Sequence, residues 1–139
     1  MKSLRTEVHI AASPEQVWQV FAANAQWHEW NPFITESKGE FAVGAQLTNT
    51  MHMKGQKPMT FRPTVLKADV AKELRWLGRL WVPGLFDGEH YFQLEATPSG
   101  TRFVQGENFS GLLSGLLNLS DARQSFEALN LALKARVER

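Results

Sequence analysis

The sequence predicts an α+β fold: a curved antiparallel sheet of about six to seven strands wrapped on a long C-terminal helix, with two short helices after the first strand. Three observations predict it. Short apolar runs alternate with period two through the middle of the chain, as half-buried strands do. Beyond Phe109-Ser110-Gly111 the period becomes about 3.6, and Phe126, Leu129, Leu133 and Val137 form one stripe. A helix-start signal, Ser13-Pro14-Glu15-Gln16, follows directly on the first strand. An apolar sheet face and an apolar helix stripe can then bury each other.

In chain order, Leu4, Thr6, Val8 and Ile10 share one side of the first strand, and Arg5, Glu7 and His9 the other. Ser13 is the N-cap of the next helix, Pro14 takes the first position, where no amide hydrogen is needed, and Gln16 completes a capping box. Val17, Val20 and Phe21 give this helix one buried stripe, with Trp18 at its edge. Asn24 breaks it, and Ala25 to Trp30 forms a second short helix that Pro32 stops at or before Asn31. Ile34 to Glu40 is a weak strand, and Gly39 and Gly44 flank a bend. Gln46 to Met53 points Leu47, Met51 and Met53 inward and turns at Gly55-Gln56-Lys57-Pro58. Met59 to Val70 continues as strand through Phe61 and Val65, with Pro63 demanding an edge position or a bulge. Glu73 to Leu80 places Leu74, Trp76, Gly78 and Leu80 on one face, opposite Arg75 and Arg79. The last helix runs from about Leu112 to Val137, roughly 38 Å, opening on Leu112, Leu113, Leu116 and Leu117. Lys134, Arg136 and Arg139 complement the dipole at its end.

The hairpin before that helix is the informative segment. Gly88 to Glu95 places His90, Phe92 and Leu94 on one face and Glu89, Gln93 and Glu95 on the other, Tyr91 being ambiguous. Thr101 to Phe109 carries Phe103 and Phe109 on its apolar face, together with Gln105 and Glu107. A symmetric turn at Thr97-Pro98-Ser99-Gly100 that sets Leu94 opposite Phe103 also sets His90 opposite Glu107. A slip of one residue would set apolar against polar faces. An imidazole and a carboxylate on a dry face cost several kcal/mol unless paired, bonded or wet. The expected resolution is an internal cavity with these groups on its wall.

Composition narrows the function classes. The 139 residues fit one domain, 1–139, able to bury about 68–70% of its unfolded surface. With 43% apolar and 21% charged residues the chain is globular rather than disordered. A net charge of +1 gives no footprint for nucleic acid. The absence of cysteine excludes disulfides and thiolate sites. No apolar run approaches the roughly 20 residues of an integral membrane segment. Met1-Lys2-Ser3-Leu4-Arg5 lacks the apolar stretch of a signal peptide, so a cytoplasmic location is expected.

The element order resembles the START-like helix-grip superfamily, from about Leu4 to the C-terminus. The markers are Ser13-Pro14-Glu15-Gln16-Val17-Trp18, Trp30-Asn31-Pro32, Gly88-Glu89-His90, Phe109-Ser110-Gly111-Leu112-Leu113 and Ala132-Leu133-Lys134-Ala135-Arg136-Val137. Together they resemble a bacterial polyketide cyclase/dehydrase-like subgroup. The superfamily also includes pollen-allergen-like lipid carriers and chaperone co-activators. It has no shared catalytic motif, so the resemblance implies a fold and a cavity but no particular reaction.

His90 and Glu107 support three roles: orienting the polar end of an apolar ligand, acting on it as general acid and base, or bonding each other as a structural cross-strand pair. Trp76, Phe92, Phe103 and Phe109, with Met51 and Met53, form a soft apolar wall as a set, although each alone suits ordinary core packing. Gln105 adds a polar contact. Asn130, four residues after Phe126, reaches either the lumen or solvent. Trp27, His28, Trp30 and the apolar loop Trp81 to Phe86 act as a lid, touch a membrane, or plug the end of the sheet; plugging is favoured for Trp30 and Phe86. His9, His28, His52 and His90 are scattered without metal-ligand spacing, His52 on a solvent-facing parity, and no metal or cofactor is implied. No serine stands in a nucleophile elbow.

Three functions fit. The first is binding of a small, largely hydrophobic molecule in a cavity between sheet and C-terminal helix, with His90, Gln105 and Glu107 as polar contacts. The second is a cyclase or dehydratase acting on a polyketide-like or aromatic substrate by proton transfer through the same residues. The third is a protein-interaction module whose core is filled.

Overall fold

The computed structural model describes residues 2–53, 55–80, 84, 86–112, 114–116 and 118–139. β1 (Lys2–Ile10) buries Leu4, Thr6 and Ile10. Ser13 then caps α1 (Pro14–Phe21): its hydroxyl accepts from the Gln16 amide, and the Gln16 side chain accepts from the Ser13 amide. The buried face of α1 differs from expectation. Trp18 lies within it, its ring 5.8 Å from that of Phe21, and Val20 is only half-buried. The second helix is a 3-10 helix, Asn24–Glu29, which buries Trp27; the indole N–H donates to the Phe21 carbonyl at 2.8 Å.

The strands that follow are β2 (Ile34–Lys38), β3 (Thr48–Met51), β4 (Met59–Phe61), β5 (Thr64–Asp69), β6 (Glu73–Leu80), β7 (Phe86–Thr97) and β8 (Gly100–Ser110). Among the described residues the α+β architecture thus holds eight strands in two antiparallel sheets, ordered β1-β8-β7-β6-β5 and β2-β3-β4. The division comes from Pro63. It breaks the expected run from Met59 to Val70, so that β4 pairs with β3 and β5 with β6. The Pro63 carbonyl accepts from Leu47 at 2.9 Å, and Gly44 and Ala45 bond Val65, which stitches the two sheets into one curl. Gly44 turns the chain there with φ of 86°, a conformation that favours glycine.

β7 and β8 form the long hairpin in the predicted register, with Leu94 opposite Phe103 and His90 opposite Glu107. Tyr91 takes the outer face, where the Arg75 guanidinium stands 4.8 Å over its ring. Arg75 also binds Glu73 and Glu89 at 2.8 and 2.6 Å, so the outer face is a lattice of charges.

α2 (Leu119–Glu138) begins later than the leucine pattern suggested. Asn118 accepts from the Ser120 and Asp121 amides and so fixes the start. Ahead of it Ser114–Leu116 forms a short 3-10 helix that leaves Leu112 and Leu116 exposed. Leu113, Leu117 and Trp81, Val82, Pro83 and Leu85 of the apolar loop lie outside the described residues. With 20 residues α2 is about 30 Å long and buries Phe126, Leu129 and Leu133, packing on β1 and β8. Its last turn is anchored by Lys134 on the His9 carbonyl and by Arg136 on Glu29. No helix among the described residues is long and apolar enough to cross a membrane.

α1 fills one end of the curl. Phe21 is its centre, with the rings of Trp27, Phe41, Phe92 and Phe103 at 4.8 to 5.9 Å.

Candidate functional site

The opposite end of the curl holds a cavity of about 420 Å³, between the small sheet, the main sheet and the first half of α2. Met51, Met59 and Phe61 come from the small sheet, Trp76, Phe86 and Phe109 from the main sheet, and Ala122 and Phe126 from α2. The position along β7 decides which inward residue meets the cavity. Phe86, Gly88 and His90 line it, whereas Phe92, next on the same face, packs with its ring tilted against Phe21 of α1.

From the wall a line of hydrogen bonds runs inward to α2. Glu107 Oε1 is 2.8 Å from His90 Nδ1, and His90 Nε2 is 2.9 Å from Gln105 Oε1. Gln105 Nε2 donates to the Phe126 carbonyl at 3.1 Å and to Asn130 Oδ1 at 2.7 Å. Asn130 Nδ2 donates to Thr6 Oγ1 at 2.8 Å, and the Thr6 hydroxyl donates to the Gln105 main-chain carbonyl at 2.9 Å. Thr6, His90, Gln105, Phe126 and Asn130 along this line are buried, and Glu107 at its cavity end is half-buried.

The line dictates where its protons sit. A carbonyl such as that of Phe126 only accepts, so the Gln105 amide turns its NH₂ to α2 and its oxygen to His90. That oxygen also only accepts, so His90 carries hydrogen on Nε2. One proton then lies between Nδ1 and Glu107 Oε1, giving either an imidazolium beside a carboxylate or an imidazole beside a carboxylic acid. Both imidazole nitrogens are engaged in either case. Glu107 Oε2 has no hydrogen-bond partner among the described residues.

Both residues line the cavity, and the carboxylate is the more open of the two: the Glu107 side chain keeps 16% of its surface exposed and that of His90 only 4%. Gly88 makes room for it, since a Cβ there would overlap Oε2. His90 is held among the rings of Phe92, Phe126, Trp76 and Phe33, with centroids at 4.7, 4.8, 5.3 and 6.3 Å.

Of the residues expected on the wall, Met51, Met53, Trp76, His90, Glu107 and Phe109 stand there. Phe92 and Phe103 do not, because α1 occupies their end of the sheet. Gln105 and Asn130 also lie behind the wall, where they tie α2 to the sheet; Asn130 is buried rather than at a solvated helix edge. Phe86 lines the cavity instead of plugging the end of the sheet, and Trp30 packs on Trp27 at 6.2 Å, half-buried. His52 is exposed.

Phe33, Ile34, Gly88, Asp121 and Phe126 join the wall without having been singled out for it. The first two had a signal in Asn31-Pro32: Asn31 Oδ1 accepts from the amides of Phe33 and Ile34 at 3.0 and 2.9 Å and aims both residues inward. No group of three or more His, Asp or Glu side chains among the described residues is placed to hold a metal ion.

A sheet curled around a C-terminal helix, with a cavity between them, defines the START-like helix-grip class. The chain belongs to the family described as polyketide cyclase / dehydrase and lipid transport, whose family model matches residues 1–138. Among solved structures it is similar to protein MLL2253 from Mesorhizobium loti, at 18% identity and a TM-score of 0.77 over 99% of this chain and 98% of that one. It is also similar to major latex-like protein 151 from Panax ginseng, at 11% identity and 0.80 over 97% and 96% of the two chains. A third is StfQ, the di-domain ARO/CYC of the steffimycin biosynthetic pathway, at 12% identity and 0.70 over 97% of this chain and 48% of that one. At such identities the likeness is one of fold. No curated protein matches the chain in sequence.

Proposed function

We propose that the chain binds a small, largely apolar molecule in this cavity, with Glu107 as its polar contact on the wall. The observation that carries the reading is an apolar space of about 420 Å³ with the Glu107 carboxylate on its wall, at the end of a hydrogen-bonded line and with Oε2 unpartnered among the described residues. Ligand sites of about 300–1,000 Å³ with few, fixed polar groups are the usual kind. Met51, Met53 and Met59 suit a guest of irregular shape. Phe92, Phe103, Gln105 and Asn130 set the shape of the site and hold His90, rather than touching the guest. The whole chain, 1–139, acts as one binding unit, no cofactor enters the reading, and the cytoplasm is the proposed place of action. Native mass spectrometry on protein incubated with cell extract and washed tests it. A reproducible adduct that disappears in Trp76→Ala supports carriage, and a clean spectrum across extracts overturns it.

One observation favours a second reading, a polyketide cyclase- or dehydratase-like enzyme. The proton shared by His90 and Glu107 lies beside the cavity, where general acid–base catalysis would need it. Turnover of an aromatic or polyketide-like substrate, lost in Glu107→Gln while binding persists, would select this reading. A protein-interaction module with a filled core is disfavoured by the cavity itself.

A further inference from the structure

We propose that the cavity selects ligands carrying a hydrogen-bond donor, a hydroxyl or N–H on an apolar ring body, and turns carboxylates away. This rests on the ligand-binding reading above and adds the chemical class of the guest. With the proton on Nδ1, Glu107 is a carboxylate and Oε2 is an acceptor. With the proton on Oε1, directed at Nδ1, Oε2 is the carbonyl oxygen of the acid and still an acceptor. Either placement shows the cavity lone pairs alone. His90 adds no donor, because Nε2 is spent on Gln105 and Nδ1 on Glu107.

The rest of the wall does not reverse this preference. Its charged members besides His90 are Glu107 and Asp121, and no lysine or arginine lines it among the described residues. The start of α2 reaches the wall, but its Ser120 and Asp121 amides are already bonded to Asn118. Gln56 and Asn118 carry side-chain N–H groups, yet both residues are exposed, so a bond from either would stay open to solvent competition. A guest carboxylate would face two acidic side chains and lose its hydration with no lysine or arginine among the described wall residues to replace it. The buried indole of Trp76 offers only a neutral N–H. A hydroxyl would give Oε2 its missing bond and leave the ring body to Trp76, Phe109 and Phe126.

Calorimetric titration of the wild-type protein near pH 7, to millimolar ligand, with naphthalene, 2-methoxynaphthalene, 2-naphthol and 2-naphthoate tests the selection. The expected result is 2-naphthol binding at least about tenfold tighter than both 2-methoxynaphthalene and 2-naphthoate. Equal affinity for 2-naphthol and 2-methoxynaphthalene, or naphthoate binding as tightly as naphthol, overturns the selection and leaves the cavity reading standing. Failure of all four probes overturns both. In Glu107→Gln the amide can donate to Nδ1 and keep its oxygen toward the cavity, so the naphthol preference survives. In Glu107→Met the preference is lost and naphthalene binding is kept; a preference that persists there overturns the assignment to Glu107. The wild-type series decides the question whether or not that variant folds.

Discussion

The carboxylate of Glu107 lies over Gly88, in the space that any side chain at residue 88 would need. The two residues are inward neighbours on β7 and β8, and Gly88 has no special backbone conformation, so its hydrogen side chain serves the room it leaves. Gly88→Ala is therefore expected to displace Glu107 and break its bond to His90. Overpacking of this kind costs about 1–3 kcal/mol. Urea denaturation measures the loss, and the His90 ring signals in NMR report the broken pair. Unchanged stability with unchanged ring signals would refute the relationship.

Gln105 is the junction of the buried line. Gln105→Met keeps much of the volume but leaves His90 Nε2, the Phe126 carbonyl and Asn130 Oδ1 without their partner. Stranding buried polar groups costs about 1–3 kcal/mol each, so a loss of about 3 kcal/mol or more is expected. Chemical denaturation checks it. Because Asn130 shares the network, the double change with Asn130→Leu should be markedly non-additive.

Acid should release the C-terminal turn of α2. The Ala11 amide and then Lys134 hold the Glu138 carboxyl below the usual carboxylate range, and the Arg136 hydrogen bond does the same for Glu29. Groups whose folded pKa is depressed stabilise the fold fully above the unfolded value, about 4.3, and lose that contribution as pH falls through the folded value. Hydrogen exchange at the Ala11 amide reads this locally. Protection should fall below about pH 4 in the wild type and lose that pH dependence in Glu138→Gln. A flat profile in the wild type would count against the anchor.

Asn118 has two duties, capping α2 and standing on the cavity wall. Asn118→Ala is expected to cost about 1 kcal/mol of stability through the lost cap. Ligand affinity should weaken with it, because Asp121 and Ala122 follow in the first turn and line the same cavity. Thermal unfolding with and without a bound probe separates the two effects. A stability loss with unchanged affinity would confine Asn118 to capping.

How far these residues could be read from the sequence follows from what periodicity encodes. Alternation of side chains fixes a face and, with a turn, a register, which is why His90 against Glu107 and Leu94 against Phe103 were legible. It does not encode position along that face. Phe92 and Phe103 share a face with His90 and Glu107, but α1 comes from elsewhere in the chain and fills their end. The start of α2 was obscured by leucines at residues 112, 113, 116 and 117, whose spacing imitates a helical stripe. The competing signal was present in Asn118-Leu119-Ser120-Asp121, a cap followed by an acid in the first turn. The split sheet was half-legible: Pro63 announced an irregularity, but only the bonds of residues 44 to 47 with Pro63, Thr64 and Val65 decide that the strand changes sheets there.

In the hydrogen-bonded line from Phe126 to Glu107 every proton is assigned except one, and that one has two resting places a fraction of an ångström apart. With the proton on the imidazole the pair is an ion pair with a strong dipole; with it on the carboxyl the pair is neutral and its dipole weaker. A polar guest favours the first setting and an oily guest the second, without displacement of any heavier atom. Were the proposed guest to bind, this proton shift would let the wall adjust its polarity, as the adaptable methionines Met51, Met53 and Met59 would let it adjust its shape.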